Sequence, residues 1–212
     1  MLDKAEIFLS LGYNTFLVDF MGSGGSDGNQ TTIGFYEAEE VKTAFNYLET
    51  QGEKNIMLFG TSMGAAAIMK AQKDYNLKVS SVILECPFGT MLETVQARFR
   101  SLGTPSFPMA NLLVFWGGIL NGFNAFKHNP TDYAKSIICP VLLLSGEEDD
   151  RVSLREINHI FKNLAGVKKL KTYPLAGHEN YLSKYKDEWE NDVKTFINEK
   201  VCNNKPEGFE YE

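Results

Sequence analysis

The residues best suited to chemistry sit in three short segments. Gly60-Thr61-Ser62-Met63-Gly64 follows the apolar run at 55–59 and precedes Ala65-Ala66-Ala67. G-x-S-x-G between a strand and a helix is the pattern of a nucleophile held on a sharp turn. Small residues two before and two after the serine let strand and helix pass closely, and the hydroxyl projects above the sheet edge. The Met63 N–H then lies at a helix N-terminus, where it donates to a developing oxyanion. A serine hydroxyl needs a base, and the chain has three histidines. His178, in Ala176-Gly177-His178-Glu179, lies in a loop after a strand, on the same sheet edge as Ser62. His159 falls inside a helical pattern and reads as surface or half-buried. His128 falls in an irregular stretch beside Pro130. The base needs an orienting carboxylate. Glu147-Glu148-Asp149-Asp150 offers four. The spacing Gly146-x-x-Asp149-x-x-Val152 favours Asp149, with Asp150 next, and leaves the others as a solvated turn. These acids lack the alternating ligand spacing of a calcium loop, so no metal site is expected.

The elements that must position these groups follow from periodicity. Residues 2–11 carry apolar side chains at helical spacing, and Gly12 suits a helix C-terminus. Residues 15–18, Thr-Phe-Leu-Val, read as a strand buried on both faces. Residues 22–28 form a Gly/Ser/Asp loop, and 35–50 a helix with Phe35, Ala38, Val41, Phe45 and Leu48 on one stripe. Further strands are expected at 55–59, 81–85, 140–145 and 169–173, with helices at 154–164 and 184–200. Strands alternating with helices predict a mostly parallel sheet with helices on both faces. In such sheets chemistry collects at the carboxyl ends of the strands, where all three segments lie. The expected divisions are a core at 1–87, an insertion at 88–129, a second core part at 130–202 and a polar tail at 203–212.

Composition narrows the function classes. The chain has 212 residues, 43% of them hydrophobic, enough apolar material to offset chain entropy. Its net charge of −6 argues against a nucleic-acid partner, which demands excess Lys and Arg. Cys86, Cys139 and Cys202 are too few and too scattered for a disulfide framework or structural zinc, and Cys86 and Cys139 read as buried apolar groups. The apolar run at 111–120 is too short to span a membrane. The polar start, Met1-Leu2-Asp3-Lys4, is unlike a signal peptide, and cytoplasmic is the default location.

The order Ser62, Asp149, His178, each after a successive strand, resembles that of the serine α/β-hydrolase superfamily, and most closely small bacterial esterase- or lipase-like hydrolases with a helical cap. Three further segments carry the resemblance. Asp19-Phe20-Met21-Gly22-Ser23-Gly24-Gly25-Ser26-Asp27-Gly28 resembles the family's Asp-x-x-Gly-x-Gly-x-Ser-x-Gly loop. Cys139-Pro140-Val141-Leu142-Leu143-Leu144-Ser145-Gly146 resembles its acid-bearing strand, and Ala176-Gly177-His178 the segment carrying its base. The resemblance implies an α/β-hydrolase fold and acyl transfer. Ser62 attacks a carbonyl, His178 takes the proton, Asp149 steadies the imidazole, and water releases the acid from an acyl-enzyme, with no metal or organic cofactor. It also implies a cap at 88–129 serving as an apolar lid for a small-molecule ester or acyl substrate. The family has further N-terminal strands and an oxyanion loop that this sequence does not match. A gap is therefore expected between the strand at 15–18 and that at 55–59. Either the sequence is part of a longer protein, or residues 1–212 alone form a poor, aggregation-prone catalyst.

Two readings from other classes compete. Gly22-Ser23-Gly24-Gly25-Ser26-Asp27 fails the dinucleotide pattern G-x-G-x-x-G at its last position, and no Walker lysine follows. A non-catalytic binding protein of the same fold would not require all of Ser62, Asp149 and His178 together.

Overall fold

The computed structural model describes residues 1–203. In chain order the elements are α1 (Leu2–Ser10), α2 (Glu37–Thr50), β1 (Met57–Thr61), α3 (Met63–Tyr75), β2 (Ser81–Glu85), α4 (Met91–Ser101), α5 (Met109–Leu120), α6 (Pro130–Tyr133), β3 (Val141–Gly146), α7 (Leu154–Asn163), β4 (Lys168–Tyr173), α8 (Tyr181–Lys184) and α9 (Lys186–Asn203). The chain divides into two compact units. Leu17–Glu179 forms the larger, and Met1–Phe16 with residues 180–203 forms the smaller. The tail expected at 203–212 lies, from residue 204, outside the described residues.

In the larger unit the four strands form one sheet in the order β1-β2-β3-β4, every pairing parallel. Parallel strands need burial on both faces. Val82, Leu84, Val141 and Leu143 pack into a core with α2, α3 and α7, while Ile83, Leu142 and Leu144 on the opposite face are also fully buried. α3 approaches the sheet through Ala65, Ala66 and Ala67, whose small side chains let helix and strand axes come close. Its end is set by Asn76 in the left-handed conformation (φ 49°, ψ 51°), which asparagine tolerates better than most residues.

The start of α7 is held by a capping box. Ser153 Oγ accepts from the Glu156 N–H, and the Glu156 carboxylate accepts from the Ser153 N–H. Val152 just before the cap and Ile157 one turn inside it both join the core, as in a hydrophobic staple.

One expected strand does not form. Residues 15–18 belong to no strand, and Phe16, Leu17 and Val18 are 51%, 49% and 40% exposed. The sheet ends at β1, which pairs with β2 alone. A strand exists only where a neighbour supplies a hydrogen-bonding ladder, so the apolar run at 15–18 has strand-like residues but no place in the sheet.

In the smaller unit, Phe8 of α1 meets Trp189 of α9 edge to face at 6.2 Å, and Asn180 donates to Asp3 at 2.6 Å. Trp189, Tyr181 and Val193 are fully buried. The closing helix expected at 184–200 is α9, Lys186–Asn203, and the one-turn α8 precedes it, set off by Tyr185.

Candidate active site

Ser62 stands between the end of β1 and the start of α3 with φ 51° and ψ −109°. This is a strained conformation for a residue with a side chain, and strain of this kind persists only where the surroundings impose it. The Ser62 N–H donates to the Glu85 carbonyl at 2.8 Å, continuing the ladder to β2 one residue past the strand. A Cβ at Gly60 would lie 2.6–2.7 Å from the backbone of Gly64 and Ala65, so only glycine fits there. Gly64 differs: a Cβ at that position would meet nothing within 4 Å. The close passage of strand and helix expected from G-x-S-x-G therefore constrains the first glycine alone.

The acid comes from the loop after β3. Asp149 Oδ1 accepts from the backbone N–H groups of Arg151 and Val152 at 2.8 and 2.9 Å, which locks the carboxylate just ahead of the α7 cap. Its second oxygen, Oδ2, lies 2.8 Å from His178 Nδ1. The other face of the imidazole completes the chain, with His178 Nε2 3.1 Å from Ser62 Oγ. The Asp149 side chain is fully buried and that of His178 is 12% exposed. Residues 116 and 29 positions apart in sequence are thus joined in one hydrogen-bonded line.

The acid and base loops are tied to each other. Glu147 N–H donates to the Tyr173 carbonyl at 3.0 Å and Glu148 N–H to the Ala176 carbonyl at 2.9 Å. A Cβ at Gly146 would collide with the Ala176 carbonyl, so the glycine ending β3 admits the backbone that carries His178. Asp150, the second choice among the four acids, is exposed, as are Glu147 and Glu148.

The Met63 N–H is the first of α3 and, like the leading amides of any helix, has no carbonyl of its own helix to bind. The loop at 31–35 packs beside it. Thr31 Oγ1 is 3.2 Å from Met63 Sδ, and a Cβ at Gly34 would be 2.9 Å from the Ala67 nitrogen. Glu37 organises this loop, accepting from Thr31 Oγ1, from the Thr32 N–H and hydroxyl, and from the Gly34 N–H at 2.5–2.9 Å. Burial pushes the Glu37 carboxyl up, but the hydrogen bonds from Thr31 and Thr32 outweigh it and hold the group below its ordinary range.

The remaining histidines lie apart from this line. His159 is exposed on α7. His128 is fully buried, with Nε2 2.9 Å from the Ile33 carbonyl and Nδ1 3.2 Å from the Tyr133 hydroxyl. Burial drives its pKa down to about 4.

Sequence reasoning treats Cys86 only as a buried apolar group. It is buried, but it also stands at the carboxyl end of β2 with φ 38°, and its Sγ lies within 4.8 Å of ligand atoms of Asp149 and His178. A thiol, a carboxylate and an imidazole so placed are the group of three among the described residues able to hold a metal ion. Such an ion would compete with the Asp149–His178 hydrogen bond. Position at the end of a central strand is the signal that marks Cys86. The glycine loop after residue 19 is not a phosphate cradle. Its Gly25 N–H and Ser26 hydroxyl are spent on Asp19 at 3.2 and 2.7 Å.

The chain has known relatives. The profile of the family described as serine aminopeptidase, S33, matches residues 2–114. Over 200 residues the chain is 26% identical to the uncharacterized protein YqkD of Bacillus subtilis, covering 92% of this chain and 66% of that protein. It is 24% identical to the lysophosphatidylserine lipase ABHD12 of Xenopus tropicalis, covering 79% of this chain and 43% of the relative. The chain thus spans two thirds or less of the length of these relatives. In three dimensions it resembles the Pyrococcus furiosus esterase Pf2001 with a TM-score of 0.74 at 22% identity, covering 94% of this chain and 75% of the esterase.

Proposed function

The chain belongs to the serine aminopeptidase S33 family and has the α/β-hydrolase fold, and on that footing we propose that it is a serine hydrolase cleaving a carboxylic ester, or a related acyl bond, through an acyl-enzyme on Ser62. The observation that carries the reading is the line Asp149–His178–Ser62, with contacts of 2.8 and 3.1 Å. With Asp149 accepting at Nδ1–H, the lone pair of the imidazole is at Nε2, facing the serine hydroxyl. As Ser62 Oγ attacks the carbonyl carbon, its proton passes to Nε2, and Asp149 stabilises the resulting imidazolium. The oxygen that gains charge is met by the Met63 N–H. Collapse of the tetrahedral intermediate expels the alcohol, which takes the proton from Nε2. Water, deprotonated by the same nitrogen, then releases the acid and restores the serine. No step draws on a metal or an organic cofactor.

The esterase and lipase among the relatives support an ester as substrate. The many apolar side chains at 88–129 favour an apolar acyl or alcohol portion.

A fluorophosphonate probe tests the proposal. Mass spectrometry of the labelled protein is expected to find the adduct on Ser62, absent in Ser62→Ala and strongly reduced in His178→Ala. A folded protein that stays unlabelled at Ser62 overturns the reading and favours a binding role for this fold.

A further inference from the structure

Helix α5, Met109–Leu120, turns the wrong side outward for a helix of a folded core. Its buried side is small: Ala110, Val114 and Gly118. At Gly118 a Cβ would lie 2.6 Å from the Phe123 carbonyl, so the contact there is close and leaves no room for larger groups. The large apolar side chains point to water instead. Leu112, Leu113, Phe115, Trp116, Ile119 and Leu120 are 46–79% exposed. Ahead of the helix, Leu102 and Phe107 are each 76% exposed. α5 contains no charged residue. Isolated exposed apolar residues are ordinary, but a contiguous face of this kind marks a surface that is covered in use.

The charges around this face identify what covers it. From residue 94 to residue 131 there is no Asp or Glu, in a chain whose net charge is −6. The charged residues of that stretch are Arg98, Arg100 and Lys127, all exposed. A second copy of the same surface would set one cationic rim against another. α5 spans 12 residues, about 18 Å, and no helix among the described residues is long and apolar enough to cross a membrane. A helix too short to cross, bearing Leu, Phe and Trp on one face with Arg and Lys at its margin, has the make-up of one that lies in a bilayer interface. A groove of about 480 Å³ opens on the same region between α5 and residues 122–126, lined by Phe115, Ile119, Phe123 and Phe126 among others.

We infer that α5 and its cationic rim form a docking surface for anionic phospholipid bilayers, with the outward face of α5 buried among the acyl chains and Arg98, Arg100 and Lys127 on the headgroups. The inference does not depend on Ser62 chemistry, and its test reads no turnover.

The two tryptophans make the test selective. Trp116 is 56% exposed on α5, while Trp189 is fully buried in the smaller unit. The protein is floated on a density gradient with vesicles of phosphatidylcholine alone or mixed with phosphatidylserine, and its fluorescence is read with brominated phospholipids. Flotation is expected with the phosphatidylserine vesicles, with Trp116 emission shifted to the blue and quenched by bromine, and with the quenching lost in Trp116→Phe. Arg98→Ala with Arg100→Ala is expected to weaken partitioning by about thirtyfold. Leu113→Asp with Leu120→Asp, both outward, is expected to abolish flotation while circular dichroism and thermal unfolding stay those of the parent. Absence of flotation overturns the inference, as does flotation that survives Leu113→Asp with Leu120→Asp. If the parent instead forms a dimer that those two substitutions dissociate, and does not float, the face belongs to a second copy and the inference fails.

Discussion

His178 and His128 are the same residue in opposite circumstances. His178 sits in a loop at the sheet edge, partly open to solvent, between a carboxylate and a hydroxyl. His128 is sealed inside the molecule between a backbone carbonyl and a tyrosine, with Phe35 and Phe88 each at 5.6 Å in edge-on contact. A carboxylate partner allows the ring to carry a proton during a reaction. A carbonyl and a phenol in an apolar cage favour the neutral ring and make it a strap, joining the loop at 33 to the segment at 128–133. Neither composition nor sequence neighbours distinguish the two as sharply as their partners do.

The largest effects are expected on the His178 side. Ser62→Ala is expected to lower ester hydrolysis by about 10⁶-fold and Asp149→Asn by about 10⁴-fold, measured as kcat on a soluble aryl ester. Asp149→Asn is informative because the two amide contacts to Arg151 and Val152 survive while the charge facing His178 is lost. If Asp149→Asn keeps parental turnover, the two histidines do not differ in the way proposed.

His128 is expected to act on stability. Its pKa is near 4 when folded, against an ordinary 6.5. Below pH 6.5 the unfolded chain binds the proton and the folded protein does not, so stability falls as pH drops toward 4. The part belonging to His128 is about 3 kcal/mol across that window. Urea unfolding at pH 7 and at pH 4.5 is expected to show a smaller drop in His128→Gln than in the parent. Equal drops would mean that the ring is not sealed. Glu37 contributes in the same direction, since its lowered pKa gives stability that is lost as its carboxylate is protonated in acid.

The residues of the candidate site can be read from the sequence because each of its parts is local. A serine on a strand-to-helix turn, an acid after a strand and a histidine before the last helix are each written within five or six residues. Partnership across the chain is not. The run at 15–18 has the composition of a buried strand, yet whether a strand forms depends on what lies beside it, and β1 is the end of the sheet. The run at 111–120 reads only as short and apolar; which side of α5 faces inward is not written in it, because its smallest residues make the contact. Cys86 escaped for the same reason, since its closeness to Asp149 and His178 appears only once β2 and β3 are paired.

The elbow offers a finer test. Gly60→Ala is expected to cost about 2 kcal/mol of stability and most of the activity, through overpacking against Gly64 and Ala65. Gly64→Ala, into open space, is expected to change unfolding by less than about 1 kcal/mol. The smallest effect is expected at Asp150, the exposed neighbour of the acid. Asp150→Asn should leave turnover within about twofold of the parent, and a large loss there would move the carboxylate role from Asp149 to Asp150.

Gly146 has a mechanical consequence. With no side chain between them, the turn after β3 and the turn after β4 are pressed backbone to backbone and tied by two hydrogen bonds, from the Glu147 and Glu148 N–H groups to the Tyr173 and Ala176 carbonyls, so neither can loosen by itself. On gentle heating, hydrogen exchange at Glu148 and loss of turnover are expected to rise together in one event, whereas Gly146→Ala would pry the pair apart and uncouple them.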